Sequence, residues 1–576
     1  MDLLPFGELP VHTPRRLVPE KVDLGDWAQI APLFDAVENR LESAMSVAEL
    51  EQAMLDWSEL SAALDEEGAR RYIAMTCHTE SVEAERSYLQ FVEHIEPEIK
   101  PRQFRLEQAY LAQPLRARLP RQRYEVFDRD TRQHVELFRP ENVPLETEEA
   151  KLGQQYQKLS GSLTVNFRGE ERTLVQMGRY VEEPDRPMRQ EAWELVAQRR
   201  LAERELFESN FDELVKLRQQ IARNAGFANY RDYAFKARGR FDYGPEDCHA
   251  FHEAIEREVM PLLRELQSVR REQLKLAALQ PWDLSVDPLS RPPLRPFDRV
   301  SEMVVRTQSI FDKIDIGLAD GFRTMQEKRL LDLENRKGKA PGGYQSTLSE
   351  SRLPFIFMNA VGLQRDVETM LHEAGHAFHA LATRQEPLYA YRGAPIEFCE
   401  VASMSMELLG NEFLEEFYSA GDANRARRTH LEGIVSIFPW IATVDAFQHW
   451  IYTHPNHTPA ERSAEWIRLM DRFGGDVNWN GYEEARANLW HRQLHIFLHP
   501  FYYVEYGIAQ LGALQVWANS KRNKGEALAL YQRALALGNS RPLPELFAAA
   551  GCKFSFDRQT VQPLVQLVKD ELAKLN

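Results

Sequence analysis

Only four cysteines occur in 576 residues, Cys77, Cys248, Cys399 and Cys552, and no two of them stand at CxxC spacing. That scarcity argues against a disulfide frame and against a thiolate zinc site, and it fits a reducing compartment, the cytoplasm. Long apolar runs are also missing. The most apolar stretch, Ile434 to Val444, is interrupted by Pro439 and falls far short of the roughly 20 residues a membrane span requires, so no membrane partner is expected. Basic excess is absent as well: Lys plus Arg is 71 against 87 for Asp plus Glu, a net charge of −16. That balance disfavours nucleic acid as a partner. The opening stretch, MDLLPFGELPVHTPRRLVPE, mixes acidic residues and prolines before any apolar run, which is not the pattern of a secretory signal. Nothing in the pattern sets an oligomeric state.

What is present is a long, charged, strongly helical chain, large enough to bury a sizeable core. Ile30, Leu33, Phe34, Val37 and Leu41 trace one amphipathic face, and similar segments continue to about Leu159. Leu163, Val165 and Phe167 alternate up to Arg168-Gly169-Glu170, and a second β-prone run spans Thr173 to Met177; together they predict a hairpin near 163–177. Helices resume near Arg186. Phe207, Phe211, Leu214, Leu217 and Ile221 carry a long one with Gly226 as its stop, and another is expected from Pro245 to Ala278. The proline-rich PWDLSVDPLSRPPLRPF that follows is irregular, read as a tethered loop with an interdomain linker as the alternative. The division expected is 1–185, a helical region ending in the hairpin, and 186–576, a catalytic region.

The chemistry concentrates in VETMLHEAGHAFHALATR, Val367 to Arg384. Val367, Met370, Leu371, Ala374, Phe378 and Leu381 fall at helical spacing, with Asp366 as the expected N-cap. His372 and His376, four apart, put two imidazoles on one side of that helix, where they can close on a single zinc ion. Glu373 lies where its carboxylate reaches a metal-bound water instead of the metal. A catalytic zinc needs a third protein ligand and an open fourth position. In the next predicted helix, EFCEVASMSME, Glu400 is the expected third ligand and Glu407 a carboxylate that orients a ligand histidine; Glu397 and Glu407 are the alternative ligands.

HEAGHAFH, followed 28 residues after His372 by the Glu400 of FCEVASMSME, resembles the oligoendopeptidase F branch of the thimet oligopeptidase family of zinc peptidases. RNAGFANYRDY (Arg223 to Tyr233), RFDY (Arg240 to Tyr243), PWDL (Pro281 to Leu284), PGGYQSTL and LPFIFMN (Pro341 to Asn359) and HPFYYVEY (His499 to Tyr506) resemble it too, so the likeness runs from about Phe211 to Trp517. It implies a mainly α gluzincin: two helical lobes flanking a deep channel, one zinc per chain, and short unstructured peptides as substrates. Carboxy-dipeptidase action and a non-catalytic helical scaffold are the alternatives.

Substrate is expected on a small sheet beside the histidine helix. Pro341-Gly342-Gly343 marks a turn, Tyr344 to Leu348 a strand, and Leu353 to Asn359 a second strand. There Gly342, Gly343, Tyr344, Phe357 and Asn359 would hold an extended peptide along an edge strand; a buried structural hairpin is the other reading. Near the C-terminus His491, His495 and His499 recur every four residues before Pro500, which is expected to start a helix bearing Tyr502 and Tyr506. No carboxylate accompanies these histidines at ligand spacing. The family resemblance implies instead that His495, His499, Tyr502 and Tyr506 include donors to the oxyanion.

Overall fold

The computed structural model describes residues 3–336, 338–340 and 342–575. The chain is mainly α-helical, with two small sheets among the described residues. It forms two compact units, each assembled from separate stretches of sequence. The first comprises Met1–Glu136, Arg295–Arg427 and Gly512–Phe554; the second comprises Leu137–Leu294, Arg428–Leu511 and Ser555–Asn576. The break expected at 185/186 thus falls inside the second unit, and the proline-rich stretch contains a passage from one unit to the other, at Leu294/Arg295.

In the first unit, the helix Trp27–Ser43 buries Ile30, Phe34, Val37 and Leu41, and Asp26 caps it by accepting from the Ala28 N–H. This face packs with Leu50, Trp57 and Leu60 of the long helix Val47–Cys77, and with Tyr110, into one apolar cluster. Burying such a stripe is what stabilises helices of modest intrinsic preference.

The second unit holds a two-stranded hairpin, β1 (Thr164–Phe167) and β2 (Glu170–Thr173). Arg168 and Gly169 have φ of 55° and 84°, and two positive-φ residues between paired strands make the tight turn whose twist matches a hairpin. Because the turn is that short, the return strand starts at Glu170. Of the run expected to be a strand, Thr173 to Met177, only Thr173 stays in the sheet; the rest leads into a 3-10 turn, Gln176–Val181. The long helix ends as expected, at Arg204–Asn224, with Gly226 at φ 88° and the Phe227 N–H returning to Ala222 O at 2.9 Å. The helix expected to reach Ala278 stops at Gln273, because Lys275 takes a left-handed φ of 55° and the Leu276 N–H turns back to Arg271 O.

The three-stranded sheet belongs to the first unit: β3 (Leu331–Glu334), β4 (Tyr344–Leu348) and β5 (Leu353–Ala360), in the order β3-β5-β4. β5 is central, parallel to β3 and antiparallel to β4, and is buried except at Asn359. β4 is an edge strand. The helix Gln364–Ala382 packs on both β4 and β5. Pro341, part of the expected turn, lies outside the described residues; Gly342 next to it has φ 100°.

Candidate active site

The helix Gln364–Ala382 carries both histidines of HEAGH and buries Val367, Met370, Leu371, Ala374 and Phe378. Asp366 is not its N-cap. It sits one turn in, and its Oδ2 accepts from the N–H groups of Val361 and Leu363 at 2.8 and 2.9 Å, so the carboxylate satisfies donors ahead of the helix instead of within it. Against this helix lies a second one, Ile396–Gly410, which supplies Glu400 and Glu407.

Glycine makes the approach of these two helices possible. A Cβ on Gly375 would stand 2.5 Å from Ser403 Cα and 2.7 Å from Ala402 O. Only a residue without a side chain lets the backbones meet there. From behind, the second helix is held by Tyr531, whose OH donates to Ala402 O at 2.8 Å, and by Gly512, packed against Val401.

This closeness brings Glu400 Oε2 to 3.4 Å from His372 Nε2 and 3.7 Å from His376 Nε2. His372, His376 and Glu400 form a group whose ligand atoms all lie within 4.8 Å of one another. Atoms bonded at about 2.0–2.2 Å to one tetrahedral ion stand roughly 3.3–3.6 Å apart, so the residues present fit a zinc ion. Glu407 Oε1 lies 2.7 Å from His372 Nδ1; it accepts the Nδ1–H and so reserves Nε2, on the Glu400 side, for an ion. Ser403 Oγ donates to Glu400 Oε2 at 2.9 Å. Of the three carboxylates considered as ligand from sequence, Glu397 and Glu407 are outside the group.

The electrostatics follow from three carboxylates crowded into a buried space. Burial alone would lower the His372 pKa, but the hydrogen bond and charge of Glu407, with the charges of Glu400 and Glu373, raise it to about 9. His376 goes the other way, well below the ordinary imidazole value, through burial and the neighbouring His372. Burial, with the charges of Glu400 and Glu407, pushes Glu373 up to about 7 against the opposing pull of His372 and the Gln345 N–H. Glu400 is raised by burial and by Glu407. A dication would neutralise this excess of negative groups.

On the sheet, the outcome is divided. Gly342, Gly343 and Tyr344 lie at or before the start of β4, at the sheet edge. Phe357 offers no surface to a peptide: it is fully buried, stacked on Tyr344 with ring centroids 4.8 Å apart and covered by Lys339 Nζ. Asn359 is committed to its own loop, donating to Ala340 O and Gly342 O and accepting from Asn335. The Tyr344 hydroxyl is 2.7 Å from Thr76 Oγ1, leaving its backbone as the part available for recognition.

In the second unit, His495 stands at the centre of a ring cluster, with Tyr502, Tyr506 and His499 at centroid distances of 5.6, 5.8 and 6.1 Å. Tyr503 joins it at 5.0 Å. Its framing differs from the expected helix, which was to start at Pro500 and bear both Tyr502 and Tyr506. Leu494–Leu498 is a short helix, and the next begins at Tyr503 instead of Pro500, because Phe501 adopts φ 64°. That strained corner is clamped by the RFDY segment and by Arg238, two residues before it: Arg238 Nε donates to Pro500 O at 2.9 Å, and Arg240 donates to Phe501 O. His491 departs from the other two histidines and is buried, with Nε2 3.1 Å from Glu208. Burial, followed by the charges of His499 and Arg238, lowers the His495 pKa to about 4, so it is a neutral imidazole at physiological pH.

Sequence reasoning did not find the packing role of Gly375 or the support from Tyr531. The glycine was visible inside the motif, but its meaning depends on which helix lies opposite.

The architecture is shared with solved proteins. PZ peptidase A, solved with an inhibitor, superposes with a TM-score of 0.89 at 29% identity, covering 97% of this chain and 99% of that one. An X-ray structure assigned as an oligoendopeptidase F gives 0.88 at 29%, covering 97% and 98%. Among curated proteins, group B oligopeptidase PepB of Streptococcus agalactiae is 22% identical over 399 residues, 67% of this chain and 64% of its own length. The alignments to curated relatives span between 14% and 64% of those proteins. The Peptidase M3 N-terminal domain matches residues 21–138, and Peptidase family M3 matches residues 179–564, more than half of the chain. The chain therefore belongs to peptidase family M3.

Proposed function

We propose that this protein is a zinc-dependent oligoendopeptidase that hydrolyses short, unstructured peptides in the cytoplasm. The observation that carries the reading is the convergence of His372, His376 and Glu400, with buried Glu373 in the same turn. When bound by those three residues, zinc supplies a Lewis acid and brings its water within reach of deprotonation near neutral pH.

Glu373 acts as the base. Its buried carboxylate, next to the first histidine of the group, is placed to accept a proton from the attacking water and to return it to the leaving amine. Glu407 holds His372 in the tautomer that presents Nε2. The edge position of β4 supports recognition of an extended peptide through backbone groups from Gly342 to Leu348, which is tolerant of side chains. To the His495, His499, Tyr502 and Tyr506 cluster we assign, on the family resemblance, the hydrogen-bond donors to the oxyanion.

The test is Glu373→Gln assayed with a mixed peptide library and mass spectrometry. Retained zinc with turnover abolished is expected, and cuts at internal bonds define endopeptidase action. Near-normal turnover in Glu373→Gln refutes the base assignment. Cleavage confined to free C-termini and lost on amidated peptides replaces the reading with a carboxy-dipeptidase.

A further inference from the structure

A second cluster of metal-ligating side chains lies wholly within the second unit. The helix Pro245–Ala254 carries Cys248 and His252, four residues apart, and the helix Ala420–Thr453 carries Asp445 and His449, again four apart. Each pair lies on one side of its helix. The ligand atoms of Cys248, Asp445 and His449 all fall within 4.8 Å of one another, the separation that also defines the HEAGH group. Cys248, Asp445, His449 and His252 are 1%, 0%, 5% and 3% exposed.

The hydrogen bonding of this cluster is incomplete. Asp445 Oδ2 accepts from His252 Nε2 at 2.8 Å, but Asp445 Oδ1 has no partner. His449 Nε2 stands 3.4 Å from Asp445 Oδ2, an ion-pair separation, and its Nδ1 has no hydrogen-bond partner. Buried polar groups are nearly always satisfied, and a fully buried carboxylate with one hydrogen bond is costly. The nearby guanidinium of Arg240 is paired with Glu505 Oε1 at 3.0 Å. Immediately after Ala254 the helix passes through a π turn, Ile255–Val259, a distortion common beside functional sites.

We propose that Cys248, Asp445 and His449 form a second zinc site that ties these two helices of the second unit together, with the fourth position left to water. The donor set is one sulfur, one nitrogen and one oxygen, the mixture borderline-soft zinc accepts. Asp445 Oδ1 and a ring nitrogen of His449 bond to the ion, and His252 orients the carboxylate from outside. Binding breaks the Cys248 S–H bond: the electron pair goes to the metal and the proton to solvent, so thiolate plus carboxylate balance the dication. The absence of CxxC spacing hides such a site, because its ligands come from helices nearly two hundred residues apart.

The experiment measures metal content on the full chain, dialysed after loading with zinc. Two zinc ions per chain are expected in the parent protein, and one in the His372→Ala/His376→Ala double variant, which leaves the second cluster untouched. Cobalt provides the spectroscopic readout. Bound to that double variant, it should give a near-ultraviolet thiolate-to-cobalt band, absent when Cys248→Ser is added. If Cys248→Ser does not fold, the double variant still decides. No retained metal in it, or no thiolate band, overturns the proposal, and neither result bears on the HEAGH site.

Discussion

Replacing Gly375 with alanine adds one methyl group between two helices and separates helix preference from metal geometry. The new carbon would lie 2.5 Å from Ser403 Cα, 2.7 Å from Ala402 O and 3.0 Å from the Ala402 carbonyl carbon. Carbon atoms rest at about 3.5 Å or more, so the helices must part by roughly 1 Å. Every atom struck is backbone, and no change of rotamer relieves the contact. Zinc bond lengths tolerate only about 0.2 Å, so Glu400 is drawn out of range while both histidines stay in place. Alanine is the better helix former by about 1 kcal/mol, but overpacking costs typically 1–3 kcal/mol. The expected result is zinc affinity reduced by about 100-fold, on the scale of losing a group that fixes a ligand, together with a lower melting temperature for the metal-free protein. Competition against a chromophoric chelator and thermal melts measure the two. A Gly375→Ala protein that binds zinc as the parent does and melts higher refutes the reasoning.

Glu407→Ala removes the partner of His372 Nδ1 and should weaken zinc binding by about 10–100-fold while both histidines remain; unchanged affinity would dismiss Glu407 as an orienting group. In the metal-free protein, His372 has its folded pKa raised from 6.5 to about 9. Its stabilising contribution is therefore complete below pH 6.5 and gone above about 9, so thermal melts should fall across that window, and a flat profile in the parent contradicts the assignment. Asp283, fully buried, accepts from Arg186 and from buried Arg189; Asp283→Asn should cost about 3 kcal/mol by leaving a buried guanidinium uncompensated, read from denaturant unfolding. Tyr506→Phe should lower kcat by about 100-fold with little change in KM, and a KM effect alone would make that hydroxyl a ground-state contact.

Much of the first unit's local structure was legible because it depends on periodicity. The face Ile30, Phe34, Val37 and Leu41 and the stripe from Val367 to Phe378 are buried as read, since a 3.6-residue repeat of apolar groups has few other uses. The group of His372, His376 and Glu400 was legible for a different reason: ligand geometry constrains residue type and spacing together. What failed was decided by neighbours distant in sequence or by single backbone angles. Phe357 was read as available to substrate because it lies in a strand, but strand order places it centrally under Tyr344 and Lys339. The helix start was misplaced to Pro500 because nothing in the residue type of Phe501 signals a positive φ. Asp366 had the right chemistry for a cap, yet the loop ahead of it captured the carboxylate. The cluster of Cys248, Asp445 and His449 left only two four-residue spacings, Cys248 with His252 and Asp445 with His449, and nothing local says that those two helices meet.

The first unit draws its last stretch, Gly512–Phe554, from far downstream of the histidine helix, and that stretch supplies the Tyr531 hydroxyl and the Gly512 surface that back the Glu400 helix. During synthesis, a nascent chain still tethered to the ribosome at residue 500 possesses both imidazoles and Glu400 but lacks the backing that fixes their separation. Domains whose contacts span such distances fold late. The group of His372, His376 and Glu400 thus lacks its backing until Gly512–Phe554 has been made.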